Sequence, residues 1–267
     1  MNVDRLLGHF NLTTLPFTRA VSDAALLRHR TFTEALTRLS LALSTRTPAV
    51  FTADPGLGKS TLLGTLADSL DKAKTHLVYT GLCSCGPFGL VGQLAVRYGV
   101  RPKRSAAQTA QAILDELARS ERAEILILDD AHRFPANTLD DLRLLSNLDF
   151  DRTPPFALVL VGQPRLRETL AQPELASLQQ RLAIHAALSP LTEPESADYV
   201  DRRMRAAGAR ATLFRPTALA KLFEKTRGVP RLLNNLATAA LLAAAVAGRK
   251  HVDVQDVDDA FFDAENA

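Results

Sequence analysis

Two kinds of hydrophobic periodicity divide the chain near residue 190. Before that point, short apolar runs alternate with segments whose apolar positions recur every three or four residues. Ala49–Thr52 (AVFT), His76–Thr80 (HLVYT), Glu124–Leu128 (EILIL) and Phe156–Val161 (FALVLV) read as strands. The unbroken apolar runs among them are the mark of strands buried on both faces. Helical spacing occupies Ser22–Ser44, Ser60–Leu70, Phe88–Tyr98, Ala106–Ser120 and Leu139–Leu148, and a further helix begins over Arg165–Leu170. This alternation implies an α/β fold, a parallel sheet covered by helices. Beyond Ser189–Thr192 only helical periodicity remains, over Glu195–Ala207, Pro216–Thr226, Arg231–Ala247 and Val254–Asp263. The pattern predicts an α/β domain over residues 1–190, with an N-terminal helical extension over 1–45, and a small all-helical domain over 191–267.

Composition narrows the class. Hydrophobic residues make up 46% and charged residues 23% of the 267 positions, as in ordinary globular proteins. With no Trp and 6% aromatics, the core must be built from Leu, Ala and Val. The two cysteines, Cys83 and Cys85, give neither a disulfide framework nor a four-ligand zinc site. They read as small structural residues, with a redox pair as the alternative. Charges within Met1–Phe10 argue against a signal peptide. The longest apolar run, Leu236–Ala247, falls short of the about 20 residues that a membrane span needs. A cytoplasmic location with no membrane partner is expected. The net charge of +3 conceals an acidic end: His251–Ala267 holds six acids and no Lys or Arg, so the remainder is more basic than the total suggests. A basic body suits a polyanionic partner, or is simply an arginine-rich solvated surface.

The chemistry begins at Phe51–Thr61, FTADPGLGKST, between a strand and a helix. That is the context of a phosphate-binding loop over Asp54, Pro55, Gly56, Leu57, Gly58, Lys59, Ser60 and Thr61. Gly56 and Gly58 let backbone N–H groups approach phosphate oxygens. Lys59 reaches the β- and γ-phosphates at a helix N-terminus, and Ser60 offers a hydroxyl to Mg²⁺. The first glycine of the usual pattern is Ala53 here, tolerable where its φ is negative. The second signal is Ile125–Asp130, ILILDD. A strand ending in two carboxylates places Asp129 at the magnesium and Asp130 where it can orient or deprotonate the attacking water. Many such ATPases carry Glu at the second position; Asp is one methylene shorter, so slow turnover is expected.

Further motifs give the chain a resemblance. NLTTLPF near the start, LLSNLDFD at Leu144–Asp151, LVLVGQPRLRETL at Leu158–Leu170, LQQRL at Leu178–Leu182 and GVPRLLNNLA at Gly228–Ala237 together resemble the ExeA-like AAA+ ATPases. They are also similar to the transposition helper ATPases of the TniB, IstB and TnsC kind. The resemblance covers nearly the whole chain. It implies a P-loop AAA+ fold whose C-terminal helical domain acts as a lid, with ATP and Mg²⁺ as cofactors. It makes Gln163 a sensor of the γ-phosphate, with capping of the next helix as the alternative. It also makes Arg181 an arginine that completes a neighbour's site and Arg231 a nucleotide contact from the helical domain. An ordinary surface arginine and a helix-terminal salt bridge are the respective alternatives.

Val100–Ser105 (VRPKRS) supplies Arg101, Lys103 and Arg104 between two predicted helices, as a DNA-backbone contact or as a solvated loop. The expected function is an ATPase that binds duplex DNA and regulates transposition. It would assemble as a homo-oligomer, ring or helical filament, and recruit or stimulate a DDE-type transposase. The rivals are a secretion-associated ATPase and a nucleotide-binding scaffold with little hydrolysis. The former is expected to continue into a membrane span and a cell-wall-binding domain, neither of which lies within these residues. Ala53 and Asp130 keep the latter open.

Overall fold

The computed structural model describes residues 2–18, 21–81, 89–140, 142, 145 and 154–265. Along the chain run α1 (Val3–Phe10), α2 (Arg30–Thr45), β1 (Ala49–Thr52), α3 (Lys59–Asp68), β2 (Thr75–Thr80), α4 (Gly89–Arg97) and α5 (Ala106–Leu117). Then come β3 (Ala123–Leu128), α6 (Ala136–Asp140), β4 (Ala157–Gly162), α7 (Arg165–Leu170), α8 (Ala176–Arg181) and β5 (Ile184–Ala187). Four helices close the chain: α9 (Glu193–Ala206), α10 (Pro216–Thr226), α11 (Pro230–Val246) and α12 (Val254–Glu265).

The five strands form one parallel sheet in the order β2-β3-β4-β1-β5. Burial follows position. The inner strands β1 and β4 are buried throughout, and β3 is buried from its second residue onward. The two edges, β2 and β5, carry exposed residues. On one face Val50, Leu126, Leu128, Leu158 and Leu160 join Leu90, Leu94, Ile113 and Leu117 in a single core cluster. The period of two along each strand thus feeds the helices lying over it.

The chain folds into two compact units that are not contiguous in sequence. One comprises Thr31–Pro55 and Leu62–Leu188, the other Met1–Arg30, Gly56–Thr61 and Ser189–Ala267. The second is helical. Leu6, Phe10 and Leu12 share its core with Leu191, Val200, Met204, Phe214, Leu222, Leu233 and Leu241. α9 opens with a capping box, Thr192 accepting from the Glu195 N–H while the Glu195 carboxylate accepts from the Thr192 N–H. Its buried Arg203 donates from Nε to the Pro16 carbonyl at 2.7 Å and from Nη2 to the Thr18 carbonyl at 2.6 Å. The Thr13 amide and hydroxyl both donate to the Ala207 carbonyl. The N-terminal strap is therefore fastened to α9 by the Arg203 side chain and to the end of α9 by the Thr13 amide and hydroxyl.

Several elements differ from the sequence expectation. Helix over Ser22–Ser44 is confined to Arg30–Thr45, with a single 3₁₀ turn at Asp23–Ala25. The apolar residues ahead of α2 do not belong to one helical face, because Leu27 packs on the core of the helical unit. α1, α8 and β5 were not expected. Of the helix expected over Leu139–Leu148, the described part is Ala136–Asp140 together with buried Leu142 and Leu145; the remainder lies outside the described residues.

Candidate functional site

In the helical unit, the site is a backbone device. Gly56 has φ +88° and Gly58 has φ +99°, and α3 starts directly after them at Lys59. Positive φ at alternate residues lets successive N–H groups converge on an anion, and the helix N-terminus adds its dipole. A Cβ on Gly58 would meet nothing within 4 Å, whereas one on Gly56 would come within 2.9 Å of Arg231 Cβ and 3.1 Å of Val229 Cγ1. The Arg231 amide donates to the Gly56 carbonyl at 3.2 Å. Loop and arginine segment are thus joined main chain to main chain.

That segment is itself tightly held. α10 ends through Arg227 at φ +51° and Gly228 at φ +72°. A Cβ on Gly228 would overlap the Leu191 carbonyl, and the Leu191 amide donates to the Gly228 carbonyl at 2.9 Å. Pro230 then opens α11 at its first turn, where a missing N–H costs nothing. Leu57 is buried, Ser60 is exposed, and the side chain of Arg231 is exposed.

In the α/β unit, the candidate residues stand at the carboxyl ends of parallel strands, where ligands of open α/β sheets bind. β1 runs into Ala53, whose φ is not positive and whose amide donates to the Gly162 carbonyl at 3.1 Å. A methyl group is therefore accommodated where the usual pattern has glycine. Asp54 and Pro55 follow, both exposed.

Asp129 follows β3, its amide donating to the Thr80 carbonyl at 2.8 Å. Its carboxylate accepts from the Asp130 N–H at 2.8 Å and from the Tyr79 hydroxyl at 2.5 Å. Burial, the Asp129 hydrogen bond and the charge of Asp130 push the Tyr79 hydroxyl far above its ordinary value, so it stays a proton donor. Asp130 is a non-glycine residue with φ +51° and ψ +30°, a turn that Asp adopts more readily than most residues. Gln163 follows β4, and its amide donates to Nδ1 of His132 at 3.2 Å.

The strand ends therefore bring Asp129, Asp130 and Gln163 into one cluster, completed by Tyr79 and His132. Sequence reading missed these last two. The spacing of His132, three residues beyond Asp129, was the available signal for one of them. Arg181 is not part of that cluster; it closes α8 ahead of β5, the edge strand opposite β2.

Arg101, Lys103 and Arg104 lie between α4 and α5, all exposed, with no ion pair to any of them among the described residues. Their loop is ordered from within. Buried Thr109 accepts from the Lys103 N–H at 2.9 Å and donates to the Ser105 carbonyl at 2.8 Å, and Ser105 caps α5. Cys83, Cys85 and most of LLSNLDFD lie outside the described residues. No helix among the described residues is long and apolar enough to cross a membrane.

Residues 42–170 match the family model described as an AAA domain. General secretion pathway protein A of Aeromonas hydrophila is 29% identical over 261 residues, covering 95% of this chain and 47% of that protein. The chain thus spans about half the length of the curated relative it matches. Among solved structures, Cdc6p of Pyrobaculum aerophilum aligns with a TM-score of 0.71 at 20% identity, over 93% of this chain and 70% of that one. The ORC1 protein of Aeropyrum pernix, solved in complex with DNA, aligns at 0.65 and 19% identity, over 90% and 66%. These two likenesses show the fold. The chain has the P-loop AAA fold, and residues 42–170 are similar to an AAA domain.

Proposed function

We propose that this protein is an ATP-dependent regulator of transposition that assembles on duplex DNA. The observation that carries nucleotide dependence is the bond between the Gly56 carbonyl and the Arg231 amide. It ties the phosphate loop to the arginine segment, so a change at one is felt at the other. In this reading, Lys59 and the N–H groups of residues 54–61 hold the phosphates, Ser60 and Asp129 hold Mg²⁺, and Arg231 contacts the nucleotide. The glycine geometry and the carboxylate at a strand end fit such a ligand. Bound MgATP supplies the electrophilic phosphorus and the charge that its metal neutralises. Asp130 orients water, Gln163 senses the γ-phosphate, and Arg181 completes the site of a neighbouring subunit.

Such a heterologous contact repeats head-to-tail into a ring or a helical filament. Arg101, Lys103 and Arg104 would meet DNA phosphates without reading bases. Support comes from their exposure and from the ORC1 structure of similar fold solved in complex with DNA. The link to a DDE-type transposase rests on the motifs that resemble those of transposition helpers, and the cytoplasmic location on the cysteine usage and the charged Met1–Phe10. A secretion role is the second reading, favoured by the likeness to general secretion pathway protein A along nearly the whole chain.

Duplex binding measured against salt, with and without ATP, separates the two. Each phosphate contact contributes about 0.9 to the slope of log affinity on log salt. Replacing Arg101, Lys103 and Arg104 together by Ala should flatten that slope and weaken all sequences equally, leaving ATP binding intact. No duplex binding at low salt with ATP and Mg²⁺ would transfer the preference to secretion.

A further inference from the structure

His132 has no part in the reading above, yet the geometry gives it one. It lies in a single 3₁₀ turn, Ala131–Arg133, immediately after Asp130. Its side chain is only 1% exposed. Nδ1 accepts the Gln163 N–H at 3.2 Å. A ring nitrogen that accepts an N–H carries its lone pair, so Nδ1 is the acceptor in this bond. Nδ1 also stands 4.0 Å from Asp130 Oδ1, too far for a hydrogen bond.

The approach on the Gly162 side is equally close. A Cβ on Gly162 would come within 3.1 Å of His132 Nδ1 and 3.0 Å of Leu166 Cδ2. Glycine at the last position of β4 is what lets the imidazole reach the amide beyond it. The ring therefore spans from the turn that carries Asp130 to the tip of β4 that carries Gln163.

We propose that His132 is a positioning residue for hydrolysis, whose Nδ1 fixes Gln163 with respect to Asp130. The proposal rests on the reading of Asp130 and Gln163 as hydrolytic residues. Its logic is that a polar side chain at the γ-phosphate and a carboxylate orienting water must keep a constant separation. Among the described residues no hydrogen bond is found directly between Asp130 and Gln163, and the imidazole bonded to the Gln163 N–H stands 4.0 Å from Asp130. The imidazole provides a strut from a buried position to the half-buried Gln163. Nucleotide affinity does not depend on this bond, because phosphate binding is assigned to other residues.

The test compares His132→Asn with His132→Leu. Asn places its Oδ1 two bonds from Cβ, as His places Nδ1, and so keeps an acceptor. Leu keeps bulk but removes the acceptor. Steady-state ATP hydrolysis should show kcat in the Leu variant reduced by about tenfold, the change expected when one half-buried amide loses its partner. KM and the Kd for a fluorescent ATP analogue should stay near the wild-type values. The Asn variant should recover most of kcat. Hydrogen exchange of the Gln163 amide should be fast in the Leu variant and slow in the other two, and this can be read whether or not turnover is measurable.

Equal losses of kcat in both variants, accompanied by equal losses of thermal stability, would reduce His132 to core packing and overturn the proposal. So would rapid Gln163 exchange in the Leu variant with unchanged kcat. In either case the hydrolytic reading stands, because wild-type turnover stands. If instead wild-type protein fails to hydrolyse ATP under all conditions while binding it, the parent reading fails and takes this one with it.

Discussion

In the helical unit, the candidate site is assembled from main-chain atoms: Gly56 bonds to the Arg231 amide, and Gly228 lies against the Leu191 carbonyl. At the strand ends of the α/β unit the contacts run instead through side chains, Tyr79 on Asp129 and His132 on the Gln163 amide. The difference matters because main-chain contacts tolerate no added atom, while side-chain contacts can be removed one group at a time. In the proposed function, the first arrangement would set whether a ligand can be held at all, and the second how fast it reacts.

The largest effect should come from Gly228→Ala, which places a methyl group on the Leu191 carbonyl at a left-handed φ. A loss of about 3–5 kcal/mol in urea unfolding is expected from the combined clash and backbone strain. A loss below about 1 kcal/mol would mean that Leu191 moves aside, and the main-chain half of the contrast would fail.

Next in size is a pair of variants that separates holding from rate. Lys59→Ala should remove measurable ATP binding. Asp130→Asn should leave the affinity within about twofold and lower kcat by about a hundredfold, the usual contribution of a positioned acid or base. Wild-type turnover in Asp130→Asn would take that carboxylate out of the chemistry.

A smaller change is expected for Tyr79→Phe. The lost bond goes to a carboxylate, but Tyr79 is 47% exposed, so water replaces part of it. The Mg²⁺ concentration for half-maximal hydrolysis should rise by about threefold, reflecting a less ordered Asp129. An unchanged midpoint would show that Asp129 is oriented well enough by its own turn.

The smallest effect concerns pH and the helical unit alone. Burial holds the His29 imidazole below its ordinary value, with Glu195 opposing weakly. The unfolded chain then binds a proton more readily than the folded one, so stability is full above about pH 6.5 and declines as pH falls through the folded value. His29→Gln should flatten the unfolding free energy across that window, and an unaltered slope would assign the pH dependence to other groups.

Legibility in the sequence followed the same division. β1, β3 and β4 were readable because strands buried on both faces leave unbroken apolar runs. β5, only IHAA with a solvent-facing His185, left no such run. α1 was hidden by its length of eight residues, with only Leu6 and Phe10 buried. Motif spacing singled out the candidate phosphate loop and the paired aspartates, and the family resemblance singled out GVPR. It could not indicate Tyr79 or the partner of His132, because both contacts cross between neighbouring strands separated in sequence by dozens of residues.

The strap held by Arg203 carries a consequence for synthesis. Its acceptors, the Pro16 and Thr18 carbonyls, leave the ribosome 187 and 185 residues before the arginine that binds them. At about 5–20 residues per second, the strap waits about 10–40 s for its partner. Leu6, Phe10 and Leu12 spend that interval without the rest of their core, which comes almost wholly from residues after 190. The helical unit thus closes only after the sheet has been made, although part of its core is made before the sheet.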